Sequence, residues 1–152
     1  MKAQSTFFTY ATQHGPVTMR ATARGLAEVV FERVELEGTN APNAVTNEAA
    51  TQLSEYLAGK RREFDVPLDP QGSSFQKAVW TEVCTLPFGE TATAAIIAER
   101  LGKPGAHRSV GTAINLCKLA PFVPVQRVIA PNATGRKANI LRAFQALEAR
   151  SS

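Results

Sequence analysis

The sequence predicts an α+β fold: a small antiparallel sheet with one helix, followed by a mainly helical part that contains a helix-turn-helix. Three observations predict it. Residues 5–33 are short β-rich runs separated by the turn signals His14-Gly15-Pro16 and Arg24-Gly25. Residues 73–149 instead place apolar side chains at helical spacing in successive stretches. Between the two lies Asp69-Pro70-Gln71-Gly72, a turn-rich linker and the expected domain boundary.

Taken in order, Ser5 to Gln13, Pro16 to Ala23 and Gly25 to Arg33 form an antiparallel meander. Residues 35–45, ELEGTNAPNAV, are a polar loop. Thr46 or Asn47 caps a helix from Glu48 to about Gly59, with Ala49, Leu53, Tyr56 and Leu57 on one face. Glu63 to Val66 is expected to add a strand. Ser73 or Ser74 caps the next helix, which carries Phe75, Val79, Trp80 and Val83. Pro87-Phe88-Gly89 ends it, and Thr91 or Thr93 opens another through Ala94, Ile97, Ala98 and Leu101. After the turn Gly102-Lys103-Pro104-Gly105, a third helix runs from His107 to about Cys117, with Val110, Ala113 and Ile114 inward. Two short helices joined by a Gly-containing turn make the helix-turn-helix pattern. The small residues Ala106, Ser109, Gly111, Thr112 and Ala113 let the second helix approach either a groove or another helix closely. Asn132-Ala133-Thr134-Gly135 is a turn. The last helix spans about Lys137 to Ala149, with Ile140, Leu141, Phe144 and Leu147 inward, and the final serines fray.

A chain of 152 residues buries roughly 70% of its unfolded surface and needs no metal or disulfide to fold. Cys84 and Cys117 are far apart in sequence and sit in apolar settings, which favours reduced thiols. His14 has no second ligand at metal spacing, so no metal or cofactor is expected. The first residues, MKAQSTFFTYATQHG, lack a long apolar core, and no apolar run approaches a membrane span. A cytoplasmic protein (nuclear in a eukaryote) with no membrane contact is the expectation. Residues 1–72 carry 7 Lys+Arg and 9 Asp+Glu, a net −2, whereas residues 73–152 carry 10 and 4, a net +6. The basic half suits either a polyanion or a generic basic surface. Arg108 stands in the first turn of its helix, against the helix dipole, where an external anion or groove would favour it.

Pro121-Phe122-Val123-Pro124-Val125-Gln126-Arg127-Val128-Ile129 is the most constrained stretch. Two prolines exclude a helix interior and a central strand. An extended segment through a core is expected, with Gln126 and Arg127 requiring partners. A buried connector with a structural Arg127 salt bridge is the plain reading.

Five stretches, in order and with their spacing, make residues 73–148 resemble the C-terminal domain of the methylated-DNA–protein-cysteine methyltransferases, the O6-alkylguanine-DNA alkyltransferases. They are Phe75-Gln76-x-x-Val79-Trp80 and Leu86-Pro87-x-Gly89-x-Thr91, then Ile97-Ala98 with Leu101-Gly102-x-Pro104, then Arg108-x-Val110-Gly111-x-Ala113, and last Pro124-x-x-Arg127-Val128-Ile129. Residues 1–72 are similar to that family's N-terminal domain by layout. The resemblance implies a ribonuclease-H-like domain over 1–70 and an alkyltransferase-type DNA-binding domain over 73–150. It implies a monomer binding double-stranded DNA, including O6-alkylguanine-containing DNA, with a repair protein as a further partner. The implied DNA-binding residues are Arg108, Gly111, Thr112, Ala113, Lys103, Arg100, Thr93 and Lys118, with Arg136 as a further cation. The implied pocket comprises Pro124, Val125, Arg127 and Cys117.

Departures from the family pattern shape the functional expectation. The family's Pro-Cys-His-Arg reads Pro124-Val125-Gln126-Arg127 here. In that family the cysteine accepts the alkyl group, the histidine helps form its thiolate, and a glutamate matched by Glu148 completes the relay. Valine has no lone pair and glutamine does not titrate, so neither supplies the nucleophile or its base. Ala94 stands for a tyrosine, Cys117-Lys118 for Asn-Pro, and the Gly-Tyr-x-Gly-Gly closing loop is missing. The expectation is a non-catalytic DNA-binding homologue, a pseudoenzyme similar to the alkyltransferase-like proteins and acting in recognition of alkylated DNA. The alternatives are a methyltransferase using another thiol, with Cys117 the candidate, and a protein-interaction module that has lost DNA binding.

Overall fold

The computed structural model describes residues 5–130 and 133–151. They form two compact units, 1–71 and 72–152.

In the first unit, β1 (Ser5–Thr12), β2 (Gly15–Thr22) and β3 (Leu26–Val30) form the meander, and β4 (Thr39–Asn40) adds a short strand. The sheet order is β3-β2-β1-β4. β1 and β2 are antiparallel from Ser5↔Thr22 to Thr12↔Gly15, while β4 pairs parallel to β1 at Thr6 and Phe7. Phe7, Val17, Met19, Ala21, Leu26 and Val29 are buried. Helix α1 (Ala44–Leu57) packs on the same three strands and buries Ala49, Leu53, Tyr56 and Leu57, the face that periodicity picks out. Arg20 and Glu28 are cross-strand partners with Nε to Oε1 at 3.2 Å.

Two expectations for this unit need correction. The α1 cap is Asn43, not Thr46 or Asn47: its side chain accepts the Thr46 N–H at 2.9 Å, and the Thr46 hydroxyl accepts the Asn43 N–H at 2.9 Å. This is a reciprocal capping box, with threonine in place of the more frequent Glu or Gln. Glu63 to Val66 is not a strand. The buried Gln52 side chain of α1 takes the Asp65 N–H at 3.1 Å and donates to the Asp65 carboxylate, so side-chain bonds replace a ladder there. The chain rejoins β3 later, through a single parallel bridge between Leu26 and Leu68. Gly25 makes that approach possible, since a Cβ there would lie 2.5 Å from the Pro67 carbonyl oxygen and its φ is +153°. β4, inside the polar loop, carries no alternating apolar signal because both its residues are exposed.

In the second unit, α2 (Ser74–Val83) starts at Ser73, in a capping box with Gln76. α3 (Ala94–Arg100) starts at Thr93. A 3-10 turn, Pro104–Ala106, leads into α4 (His107–Asn115). α5 (Arg136–Ser151) closes the chain. α2, α3 and α4 pack together around Val79, Trp80, Val83, Ile97, Val110 and Ala113. The Trp80 indole N–H donates to the Ala113 carbonyl at 2.8 Å, fixing α2 against α4. On α5 the buried residues are Ala138, Phe144 and Glu148, while Ile140, Leu141 and Leu147 are only half-buried. The expected inward face is therefore rotated, because Glu148 has buried partners and turns inward with Phe144. The turn at 132–135 is described from Ala133 onward; Asn132 lies outside the described residues, as does the last of the serines expected to fray.

Asn43→Ala removes one half of the capping box. It is expected to lower the stability of the first unit by about 1 kcal/mol in urea denaturation.

Candidate functional site

The stretch from Leu119 to Val128 is buried throughout. It is not the plain extended segment expected from its prolines. Val125–Arg127 is a 3-10 turn, in which the Arg127 N–H reaches the Pro124 carbonyl at 2.9 Å and the Val128 N–H reaches Val125 at 3.0 Å. The turn's buried amides thus close on carbonyls two or three residues back. The segment then pairs with Ala92: the Ala92 N–H donates to the Arg127 carbonyl at 2.9 Å and the Ile129 N–H to the Ala92 carbonyl at 2.8 Å.

The turn presents Gln126 and Arg127 to Glu148 of α5. Their exposures are 2%, 6% and 2%. Glu148 Oε1 accepts Arg127 Nε–H at 2.8 Å and the Gly89 N–H at 3.2 Å. Oε2 accepts Gln126 Nε2–H at 2.8 Å and Arg127 Nη2–H at 3.3 Å. Arg127 Nη1–H donates to the Leu86 carbonyl at 2.7 Å, and the guanidinium lies 5.6 Å from the Phe88 ring centroid. A buried ion pair is tolerable only with this degree of hydrogen bonding. The salt bridge read for Arg127 is therefore present, and Glu148 is its partner.

Val125 is buried at 1% exposure, with no polar atom in its side chain. Cys117 follows the end of α4 and is 2% exposed. Burial pushes its thiol up to about 11, opposed by the Leu119 backbone N–H and the Lys137 ammonium. Cys84, at the exposed C-cap of α2, is also raised by desolvation, with Arg127 acting against it. A cleft of about 130 Å³ opens beside Gln126, walled by Val128, Ala130, Ala138, Leu141 and Gln145. Pro124, Val125, Arg127 and Cys117, the expected pocket residues, do not line this cleft.

Most of the expected DNA-binding residues fall on α3 and its Thr93 cap, on α4 and on the turn between them, while Lys118 follows α4 and Arg136 opens α5. Arg100, Lys103, Arg108, Thr112 and Lys118 are exposed, Gly111 is half-buried and Ala113 is buried against Trp80. A Cβ at Gly111 would meet nothing within 4 Å, so packing inside the protein does not require glycine there. Lys103 Nζ sits 5.5 Å from the Phe75 ring centroid. The Thr93 hydroxyl accepts the Ile96 N–H at 3.2 Å as the α3 cap. Sequence reasoning did not single out Lys137, whose ammonium meets the carbonyls of Asn115 and Cys117. Its signal was two cations, Arg136 and Lys137, opening a helix that has no acidic residue in its first turn.

Comparisons with known proteins match both units. Residues 74–149 match the family described as 6-O-methylguanine DNA methyltransferase, DNA binding domain, and residues 7–70 match its ribonuclease-like domain. The methylated-DNA–protein-cysteine methyltransferase of Methanosarcina barkeri is 40% identical over 120 residues, 76% of each chain. That of Mycobacterium bovis is 37% identical over 145 residues, 91% of this chain and 87% of the relative. The crystal structure of the Mycobacterium tuberculosis O6-methylguanine methyltransferase has a TM-score of 0.87 at 34% identity, covering 98% of this chain and 95% of that one. The same organism's protein in complex with DNA gives 0.86 at 33%, covering 97% and 94%. The chain belongs to the 6-O-methylguanine DNA methyltransferase family.

These relatives correct the functional expectation. Val125 and Gln126 led to a non-catalytic, pseudoenzyme reading, yet proteins 37–40% identical over most of the chain bear the methyltransferase name. The physical reason lies in what the substitutions leave intact. Gln126 still bonds Glu148, the turn is still clamped to Ala92, and a buried thiol, Cys117, is present.

Two measurements probe the site. Glu148→Ala leaves the Arg127 guanidinium buried without its carboxylate and is expected to destabilise the chain by roughly 3–5 kcal/mol in chemical denaturation. Cys117 gives a pH signature. The folded chain holds the thiol proton more tightly than the unfolded chain, so this contribution is complete below about 9 and is lost as the pH rises toward about 11. Stability–pH curves of the parent and Cys117→Ala should converge across that window.

Proposed function

We propose that this chain repairs O6-alkylguanine in double-stranded DNA by moving the alkyl group onto a thiol of its own, with Cys117 as the acceptor. The observation that carries this reading is a buried thiol at the end of the helix-turn-helix, in a chain whose relatives are named methylated-DNA–protein-cysteine methyltransferases. Residues 73–150 are the proposed DNA-binding domain. Supporting features are the net +6 of residues 73–152, the open space at Gly111, and an exposed Arg108 whose guanidinium has no partner among the described residues. A small residue and a cation on the same helix suit close approach to a phosphate-lined groove.

The chemistry is a displacement at carbon. The Cys117 sulfur forms a bond to the alkyl carbon as the bond from that carbon to guanine O6 breaks. The bond pair passes to the purine, which takes up a proton, while the thiol has lost its own. Because the thioether holds the alkyl group, each chain reacts once. A thiol at about 11 is ionised in roughly one molecule in ten thousand at neutral pH, so the step is slow there.

Incubation with O6-methylguanine duplex, followed by intact-mass analysis and peptide mapping, tests the reading. The expected result is one added methyl group on Cys117, with a rate that rises about tenfold per pH unit on the alkaline side of neutrality. Cys117→Ser should abolish it and Cys84→Ser should not. Methyl on Cys84, or no transfer at any pH, would overturn the assignment.

A further inference from the structure

α4 ends without a glycine cap or a cation of its own. No glycine follows it in the left-handed conformation; its C-cap is Leu116 at φ −85°, and its own last turn has no basic residue. Of its last four carbonyls, Thr112 is met by the Leu116 N–H at 3.0 Å, Ala113 by the Trp80 indole N–H at 2.8 Å and Ile114 by the Cys117 N–H at 3.2 Å, which leaves Asn115. Lys137, one residue into α5, supplies that donor, reaching the carbonyl of Asn115 and, at 2.9 Å, that of Cys117 just beyond the helix. On its own helix this lysine stands against the dipole, in a first turn with no acidic residue. At the end of α4 the same charge is favourable, since partial negative charge collects at a helix C-terminus. The residue is exposed overall, but its ammonium end is drawn against the protein, and desolvation there lowers its pKa.

We infer that Lys137 is a positioning residue: a cap donated by α5 that holds the end of α4 and thereby fixes how that helix meets DNA. The inference rests on the DNA-binding reading above. Lys137 acts through α4, not by neutralising a phosphate, and this separates it from its neighbouring cations. A phosphate contact adds about 0.9 to the steepness of log K against log salt, whereas a positioning residue changes affinity at constant slope.

The test compares the full chain with Lys137→Met, Lys137→Arg and Lys103→Ala, using an unmodified duplex across a salt series and amide exchange on the free proteins. Lys137→Met is expected to bind about three- to tenfold more weakly with the parental salt slope, and to exchange the Leu116 and Cys117 amides faster. Lys137→Arg, which keeps two donors, should restore both. Lys103→Ala should flatten the slope by about 0.9. A flattened slope in Lys137→Met, or unchanged exchange at the end of α4, overturns the inference. A parent that does not bind duplex DNA overturns the DNA-binding reading instead, and the exchange result then still decides whether Lys137 holds α4.

Discussion

Glu148 is a carboxylate at 2% exposure, and the second unit is arranged to make that burial tolerable. It receives Gln126 and Arg127 from the 3-10 turn and the Gly89 amide from the segment after α2. Arg127 in turn holds the Leu86 carbonyl. Two stretches that are distant in sequence thus meet on one side chain of a third, α5. Their common downstream element is α3: residues 86–92 lead directly into its Thr93 cap, and Ala92 is itself bonded to the segment carrying Arg127. Such a node is strong because it is complete. Removing any one partner strands the others away from water, which costs more than the missing bond is worth.

The same logic governs the helix ends. α1, α2 and α3 start at side chains that cap locally, Asn43, Ser73 and Thr93. α4 has no side-chain cap at its N-terminus and is held at its other end by α5. Its conformation is therefore set by tertiary contacts, through the Trp80 bond to Ala113 and the Lys137 bonds beyond it. The helix that carries the exposed Arg108 and Thr112 is the one whose C-terminal end depends on another element.

Local chemistry was legible in the sequence, and long-range pairing was not. Gly and Pro turn signals placed β1 to β3, and helical spacing placed α1 to α4, because each signal acts within a few residues. Ser73 and Thr93 could be read as caps for the same reason. Asn43 was missed because its box uses Thr46, which by itself looks like a cap. The strand assigned to Glu63–Val66 failed because Gln52, thirteen residues from Asp65, takes the bonds a ladder would have used. The 3-10 turn at Val125 was hidden by two prolines that suit extended chain equally well. At the site, the pattern around Arg127 and Glu148 could be recognised from sequence. The assignment of function was misled by the weight given to Val125 and Gln126, since relatives 37–40% identical over most of the chain bear the methyltransferase name. Lys137 was only a surface cation until the end of α4 was seen beside it.

The aromatic residues are also divided between the units in a useful way. The only tryptophan, Trp80, is in the second unit, while both tyrosines, Tyr10 and Tyr56, are in the first. Trp80 is nearly inaccessible and its indole N–H is engaged by the backbone of α4. Its fluorescence therefore reads the environment at the α2–α4 contact, with no contribution from a second indole. Tyrosine absorbance reports on the other unit. The chain carries a separate optical probe in each half, so the melting of the two halves can be followed in one sample without a label.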